Sequence, residues 1–465
     1  MQERDDAYMR DSDAFSWYME ADPLLRSTIV SVVVLDVPPD VERLLERADR
    51  ASRLSPGFRH KVVQAPLRLA NPRWVVDPDF NLGFHARHLA APAPGALGQV
   101  FEYACQTAMA GFDRQRPLWE FTLLDGLERG RAALVMKLHH SLTDGIGGME
   151  MAKYLFDFDP NPEPLGPMPD APVPEQLSSA DLVRDALHHN AARAANLPRA
   201  VLRERRGALA RALRHPDTAF RDALGVVRSV ARTVQPVSST LSPLMKERRL
   251  NWHYDALTVP LDALRGAARA VDLTLNDAFL GAISGGLLQY HERHGAAVDD
   301  LRLTMPISIR TPHDPIGGNR ITLMRFKIPT SLRDPVARMR RIDELSVTAR
   351  REPAIPYTNA IAAALNVLPR SYVGGMLKHV DFVASNVPGI SVPIYLAGAR
   401  VAEWYAFGPT IGAALNVTLV SYDGSCYIGV NVDAAAIPDA DAMLECLADG
   451  FREVVDLGQR VTHRQ

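Results

Sequence analysis

The chain has 465 residues, of which 47% are hydrophobic, 23% charged and 7% aromatic, fractions that exclude disordered, collagen-like and coiled-coil classes. At roughly 100–200 residues per domain, two or three folding units are expected, each able to bury a core. Lys and Arg number 52 against 54 acids, a formal net charge of -2 that carries no basic field for nucleic acid, and three scattered cysteines (Cys105, Cys426 and Cys446) suit neither a disulfide framework nor a zinc site.

The N-terminus, MQERDDAYMRDSDAF, is charged and lacks the apolar stretch of a secretory signal. The run Ile29 to Leu35 (IVSVVVL) is far shorter than the ~20 residues of a membrane helix, and its β-branched content predicts a buried strand. The expectation is therefore a cytoplasmic protein with no transmembrane helix, at most peripheral to the inner membrane face or lipid droplets. Asp40 is placed to cap a helix through VERLLERADRASRL, whose apolar positions recur at helical spacing. A second helix is expected over Gln99–Ala110. Arg131 to Leu138 reads as a strand running into HHSLTDGIGG, and Met149–Phe156 resumes helical periodicity.

Seven prolines between Pro160 and Pro174 rule out a helix or central strand there and predict a semi-rigid crossover. From Arg193 to Arg232 ten arginines stand against three acids, Glu204, Asp217 and Asp222. That segment suits a solvated helical face, a basic element on an anionic lipid surface, or contact with the phosphates of a nucleotide-containing substrate. A second α/β unit starts near Leu250. Helical LDALRGAARAVDLTLNDAFLGAISGGLLQYHERHG precedes strand-like LRLTMPISI, TLMRFKIP, VDFVASNV, ALNVTLVSYD and CYIGVNVD. The expected units are 1–158, a linker and basic helical crossover over 159–249, and 250–465.

The strongest chemical signal is His139-His140-Ser141-Leu142-Thr143-Asp144-Gly145. A histidine at a strand end, before a glycine-bearing turn, can project its imidazole into a cleft and exchange a proton near neutral pH. Gly145, Gly147 and Gly148 permit a tight turn and a close ligand approach. Core histidines and a metal site are the competing readings. No third ligand accompanies the pair, so no metal is expected. The HERH at His291 lacks the zincin spacing, GIGG is not a dinucleotide loop, and Ser284 in AISGG is better read as a small helix residue than a nucleophile elbow.

HHSLTDG matches the HHxxxDG signature of the acyl-CoA-dependent acyltransferase superfamily. With SDAFSWYME, RWVVDPDFNLGFHARH, RQRPLWEFTLLDGL, LNDAFLGAISGGL, MPISIR, GGNRITLM, DFVASNVPG and ALNVTLVSYDG, the chain resembles the bacterial wax ester synthase/diacylglycerol acyltransferase family along almost its whole length. The resemblance implies an α/β (α+β) fold of two chloramphenicol-acetyltransferase-like domains, each a mixed sheet with helices, with a tunnel between them. It also implies acyl transfer from acyl-CoA to diacylglycerol or a long-chain alcohol, without a resident cofactor. Carried onto this chain, it makes His140 the general base, His139 its support, and Asp144 and Gly145 architectural, with Arg310 as the partner of Asp144. Asn276 suits two roles alike, an amide donor to the oxyanion or a helix N-cap. Trp119 of the PLWE motif is expected to pack behind the histidine loop or touch the acyl chain, and Asp277 and Asn386 join the substrate-binding candidates. Many relatives carry Met-His where this chain has Leu25-Arg26, which places a guanidinium near the expected tunnel mouth and bears on acceptor choice.

Two other functions compete. One is acyl transfer to a non-lipid hydroxyl or amine from a carrier-bound donor, against which stand the lack of a fused carrier domain and of a DFGWG-type motif. The other is a catalytically silent lipid-binding or droplet-coating protein, against which stand the intact His140, Asp144, Gly145 and Asn276.

Overall fold

The computed structural model describes residues 7–55, 57–162, 164–193, 195, 237, 239–308, 321–353, 355–366, 368 and 370–462. Arg310 and the basic segment beyond Arg193 lie outside them. The first half runs α1 (Asp11–Met19), β1 (Thr28–Leu35), α2 (Val41–Leu54), β2 (His60–Val63), β3 (Arg73–Val76), β4 (Ala86–Ala90), α3 (Leu97–Met109), β5 (Trp119–Leu127), β6 (Arg131–His139) and α4 (Gly145–Ala152). The second half runs β7 (Trp252–Pro260), α5 (Leu261–Arg269), α6 (Leu275–Arg293), β8 (Asp300–Ser308), β9 (Ile321–Pro329), α7 (Pro335–Arg350), α8 (Thr358–Leu365) and α9 (Arg370–Leu377). It ends with β10 (Phe382–Val387), β11 (Tyr395–Leu396), β12 (Ala399–Phe407), β13 (Leu415–Tyr422), β14 (Ser425–Asp433) and α10 (Ala440–Thr462).

Two six-stranded mixed sheets organise the chain, in the orders β11-β12-β1-β6-β5-β4 and β7-β14-β13-β10-β8-β9. The apolar run at Ile29–Leu35 is the strand it was read to be. It lies between β6 and β12, and every residue from Val30 to Leu35 is buried, as a run apolar on both faces requires. Asp40 does cap α2, its side chain accepting from the Arg43 N–H at 3.1 Å. The long helical stretch of the second half is broken at Asp272, which takes φ +61°, so α5 and α6 are separate helices.

The sequence did not show how the halves interlock. β12 crosses to the first sheet and pairs antiparallel with β1, Val30 opposite Phe407 and Val33 opposite Trp404. On the other side β7 and β14 close the edge of the second sheet in an unbroken register from Trp252–Asp433 to Pro260–Ser425. The proline-rich stretch is strapped to α2 by guanidinium groups donating to its carbonyls. Arg50 donates to the Gly166 and Pro167 oxygens at 2.9 Å each, and Arg53 donates to Pro169 at 2.8 Å. Proline carbonyls lack in-chain N–H partners in such a segment, and the arginines supply them.

Candidate active site between the two sheets

Side-chain alternation on β6 divides the histidine pair. Met136, Leu138 and His140 face a cavity between the two sheets, while Lys137 and His139 point to the other side. His139 is fully buried there. Its Nδ1 accepts from the Ser141 N–H at 3.0 Å, which requires the ring proton on Nε2, 3.1 Å from Glu20 Oε1. Trp17 and Phe112 meet its ring edge-on. Glu20 also accepts from the Ser27 N–H at 2.9 Å, and the Ser27 carbonyl accepts from the His140 N–H at 2.8 Å. Burial alone would raise the Glu20 carboxyl. The nearby His139, the Ser27 N–H and Arg114 outweigh it and hold Glu20 below the usual carboxylate range. Glu20 thus ties the end of α1 to both histidines. Its only sequence signal was a place inside SDAFSWYME.

His140 lines two cavities that meet at it. The first encloses about 1150 Å³ of empty space, solvent at its mouths included, between Ile29 and Met136 of the first sheet and Val383 and Val420 of the second. The second, about 1480 Å³ on the same measure, runs under α1 and α8 past Phe15, Ile361 and Leu365. Both walls are dominated by apolar side chains, and both share His140, Ile321, Leu323, Arg325, Leu377 and Ile411. A path lined in this way accepts alkyl chains from two directions at one imidazole. Burial pushes the His140 imidazole below its ordinary pKa, with its own backbone carbonyl and Asp144 offsetting only part of that and His139 adding to it. It is therefore neutral at pH 7, the state a base needs.

Asp144 ends the histidine loop as the N-cap of α4, its Oδ1 accepting from the Gly147 N–H at 2.7 Å, and Gly145 is the first residue of that helix. The helix therefore starts and ends four residues earlier than the periodicity of Met149–Phe156 indicated.

Several expected site residues fall elsewhere. Asn276 is not the cap of α6 and lines neither of these two cavities. Thr274 caps α6 in a capping box with Asp277, and the Asn276 amide lies against Met305 Sδ at 4.0 Å. Thr304 and Pro306 face the cavity from β8, so Met305, and Asn276 upon it, occupy the opposite face of the sheet. Asp277 is spent on that capping box and lines neither of these two cavities. Asn386 suffers the same parity, since Val383, Ser385 and Val387 are the residues of β10 that face the cavity. Trp119 is fully buried away from both cavities, donating to the Phe58 carbonyl at 2.8 Å and stacked on His85 at 4.6 Å. Arg26 donates to the Met109 carbonyl at the end of α3 and lines neither cavity, so the expected guanidinium at the tunnel mouth is not there. His291 is a core residue, bonded to Ser242 Oγ at 2.8 Å and the Leu287 carbonyl at 2.7 Å.

Comparison with known proteins agrees with this architecture. The family model described as the wax ester synthase/diacylglycerol acyltransferase catalytic domain matches residues 9–279, and the model of the WS/DGAT C-terminal domain matches residues 317–454. A Mycobacterium tuberculosis protein named as a diacylglycerol O-acyltransferase is 37% identical over 448 residues, covering 94% of this chain and 89% of the relative. A second M. tuberculosis protein of that name is 29% identical, covering 94% and 93%. Among solved structures, the wax ester synthase/diacylglycerol acyltransferase from Marinobacter aquaeolei VT8 superposes with TM-score 0.66 at 20% identity, over 96% of this chain and 98% of that one. The first condensation domain of the calcium-dependent antibiotic synthetase shares the fold at TM-score 0.62 and 14% identity, over 97% and 96%. With both family models matched across the two sheets and the histidine loop between them, the chain belongs to the wax ester synthase/diacylglycerol acyltransferase family and is an acyltransferase.

Proposed function

We propose that this enzyme transfers a fatty acyl group from acyl-CoA directly to the hydroxyl of a diacylglycerol or a long-chain alcohol, with His140 as the general base. The observation that carries the reading is the position of one neutral imidazole where two apolar cavities meet. His140 takes the proton of the acceptor hydroxyl as its oxygen attacks the thioester carbon. The tetrahedral intermediate then collapses, the C–S bond breaks, and the same proton passes from the imidazolium to the CoA thiolate. Both reactants are held at once, and the thioester is already activated, so neither an acyl-enzyme nor a cofactor is needed. Proton transfer of this kind contributes about 10²–10⁴ in rate.

His139 and Glu20 act as positioning groups behind the base, and Asp144 fixes the loop that carries it. The lipid acceptor is drawn from a membrane face or lipid droplet. Among the described residues no helix is long and apolar enough to cross a membrane.

The test is the pH dependence of kcat/KM. An ordinary histidine titrates near about 6.5. Because burial favours the neutral ring, activity should rise through a midpoint below that value and stay level above it. A limb centred above neutrality would contradict a buried neutral base.

A further inference from the structure

We infer that Arg325 and Thr304 form a polar subsite for an ester carbonyl of the acceptor, which makes the enzyme prefer diacylglycerol to a long-chain alcohol. The two residues face each other across β8 and β9 in direct register and both line the first cavity. Arg325 lines the second cavity as well, at the junction with His140. Thr304 Oγ1 is buried without a hydrogen-bond partner. Among the described residues no carboxylate pairs with Arg325, and the charge that bears on it is a second cation, Arg302. Arg302 is itself satisfied by the Ser239 and His379 carbonyls at 3.0 Å each, and Glu352, the acid that shares the second cavity, has a partner of its own.

A guanidinium without an acceptor in an apolar wall is costly to keep, and it becomes favourable when a ligand brings an oxygen to it. The surroundings decide which ligand that is. Leu323, Leu377, Val380 and Val383 stand in the same wall, and among the described residues Arg325 is the one Lys or Arg lining the first cavity, too little positive charge for CoA phosphates. Arg325 and His140 line both cavities together, so a ligand at the imidazole also borders the guanidinium. An acceptor oxygen a few bonds from the attacking hydroxyl can therefore reach Arg325. Diacylglycerol carries ester carbonyls at that remove, whereas a long-chain alcohol has only methylenes there and leaves both polar groups unpaired. Sites built to bond a substrate oxygen discriminate against analogues that lack it.

The inference rests on the proposed function, and the assay separates the two. Wild type, Arg325→Leu and Thr304→Val are compared with palmitoyl-CoA and either 1,2-dipalmitoylglycerol or hexadecanol. Arg325→Leu should lose about tenfold or more in kcat/KM for diacylglycerol and stay within about threefold for hexadecanol. Thr304→Val, which keeps the shape of the side chain, should shift the ratio the same way by about threefold. Melting temperatures should hold or rise, because a half-buried charge without a carboxylate partner is gone. Equal losses with both acceptors, or an unchanged ratio in both variants, would overturn the subsite. A wild type that forms ester from neither acceptor overturns the proposed function and the subsite together.

Discussion

Alanine in place of His140 is expected to lower acyl-CoA turnover by about 10²–10⁴-fold with little change in melting temperature. The side chain borders existing empty space on two sides, so its removal enlarges a cavity instead of leaving a void in packed core. His139→Ala should behave differently. That ring is fully buried against Ser141, Glu20, Trp17 and Phe112, and its loss strips a buried carboxylate of its counterpart. A stability loss of about 1–3 kcal/mol is expected, with activity falling because the loop shifts. Paired activity and thermal unfolding measurements separate the two variants. A His140→Ala enzyme that keeps a tenth of its activity would remove this residue from the chemistry.

Gly429→Ala should be among the most damaging small substitutions for the fold. Gly429 sits on β14 opposite Thr418 and Ala256, where β14 passes close to β12 of the first sheet. A Cβ placed there would stand 2.1 Å from the Ala406 carbonyl oxygen, a backbone atom of β12 that cannot swing aside. Overpacking in a core costs roughly 1–3 kcal/mol, and a backbone collision belongs at the upper end or beyond. Ala406 also lines the first cavity, so the displaced strand should carry the activity down with the stability. Gly98→Ala in α3 is the control. Its Cβ would meet nothing within 4 Å, and helix propensity favours alanine by about 1 kcal/mol. Denaturant midpoints should fall steeply for the first variant and hold or rise for the second.

What the sequence made legible follows the range of its signals. Local patterns carried β1, the Asp40 cap and the strand before His139, because burial, capping and periodicity act over a few residues. The pairing of β12 with β1 joins positions more than 360 residues apart, and nothing within Ala399–Phe407 names its partner. At the site, strand parity decides which of the expected asparagines face the cavity. Asn386 and Ser385 differ by one residue, yet only one of them can face the cavity, and the same rule sends Asn276 behind β8 with Met305. Glu20 was invisible for a related reason. Its role depends on Ser27 and His139 reaching it, and the order of residues in α1 does not state that. Arg325 was read only as part of a strand, because a charge is informative once its neighbours are known to leave it without an acceptor.

Direct transfer between two lipids held at one histidine leaves a plain mark in a two-step incubation. Its plainest test incubates the purified enzyme with palmitoyl-CoA, first alone and then with 1,2-dipalmitoylglycerol, following free CoA, extracted neutral lipid and the intact mass of the protein. Direct transfer predicts an unchanged protein mass in the first step, then CoA and triacylglycerol appearing together in equal amounts. A palmitoyl mass increment on the protein before acceptor is added, or CoA release with no neutral lipid formed, would contradict it.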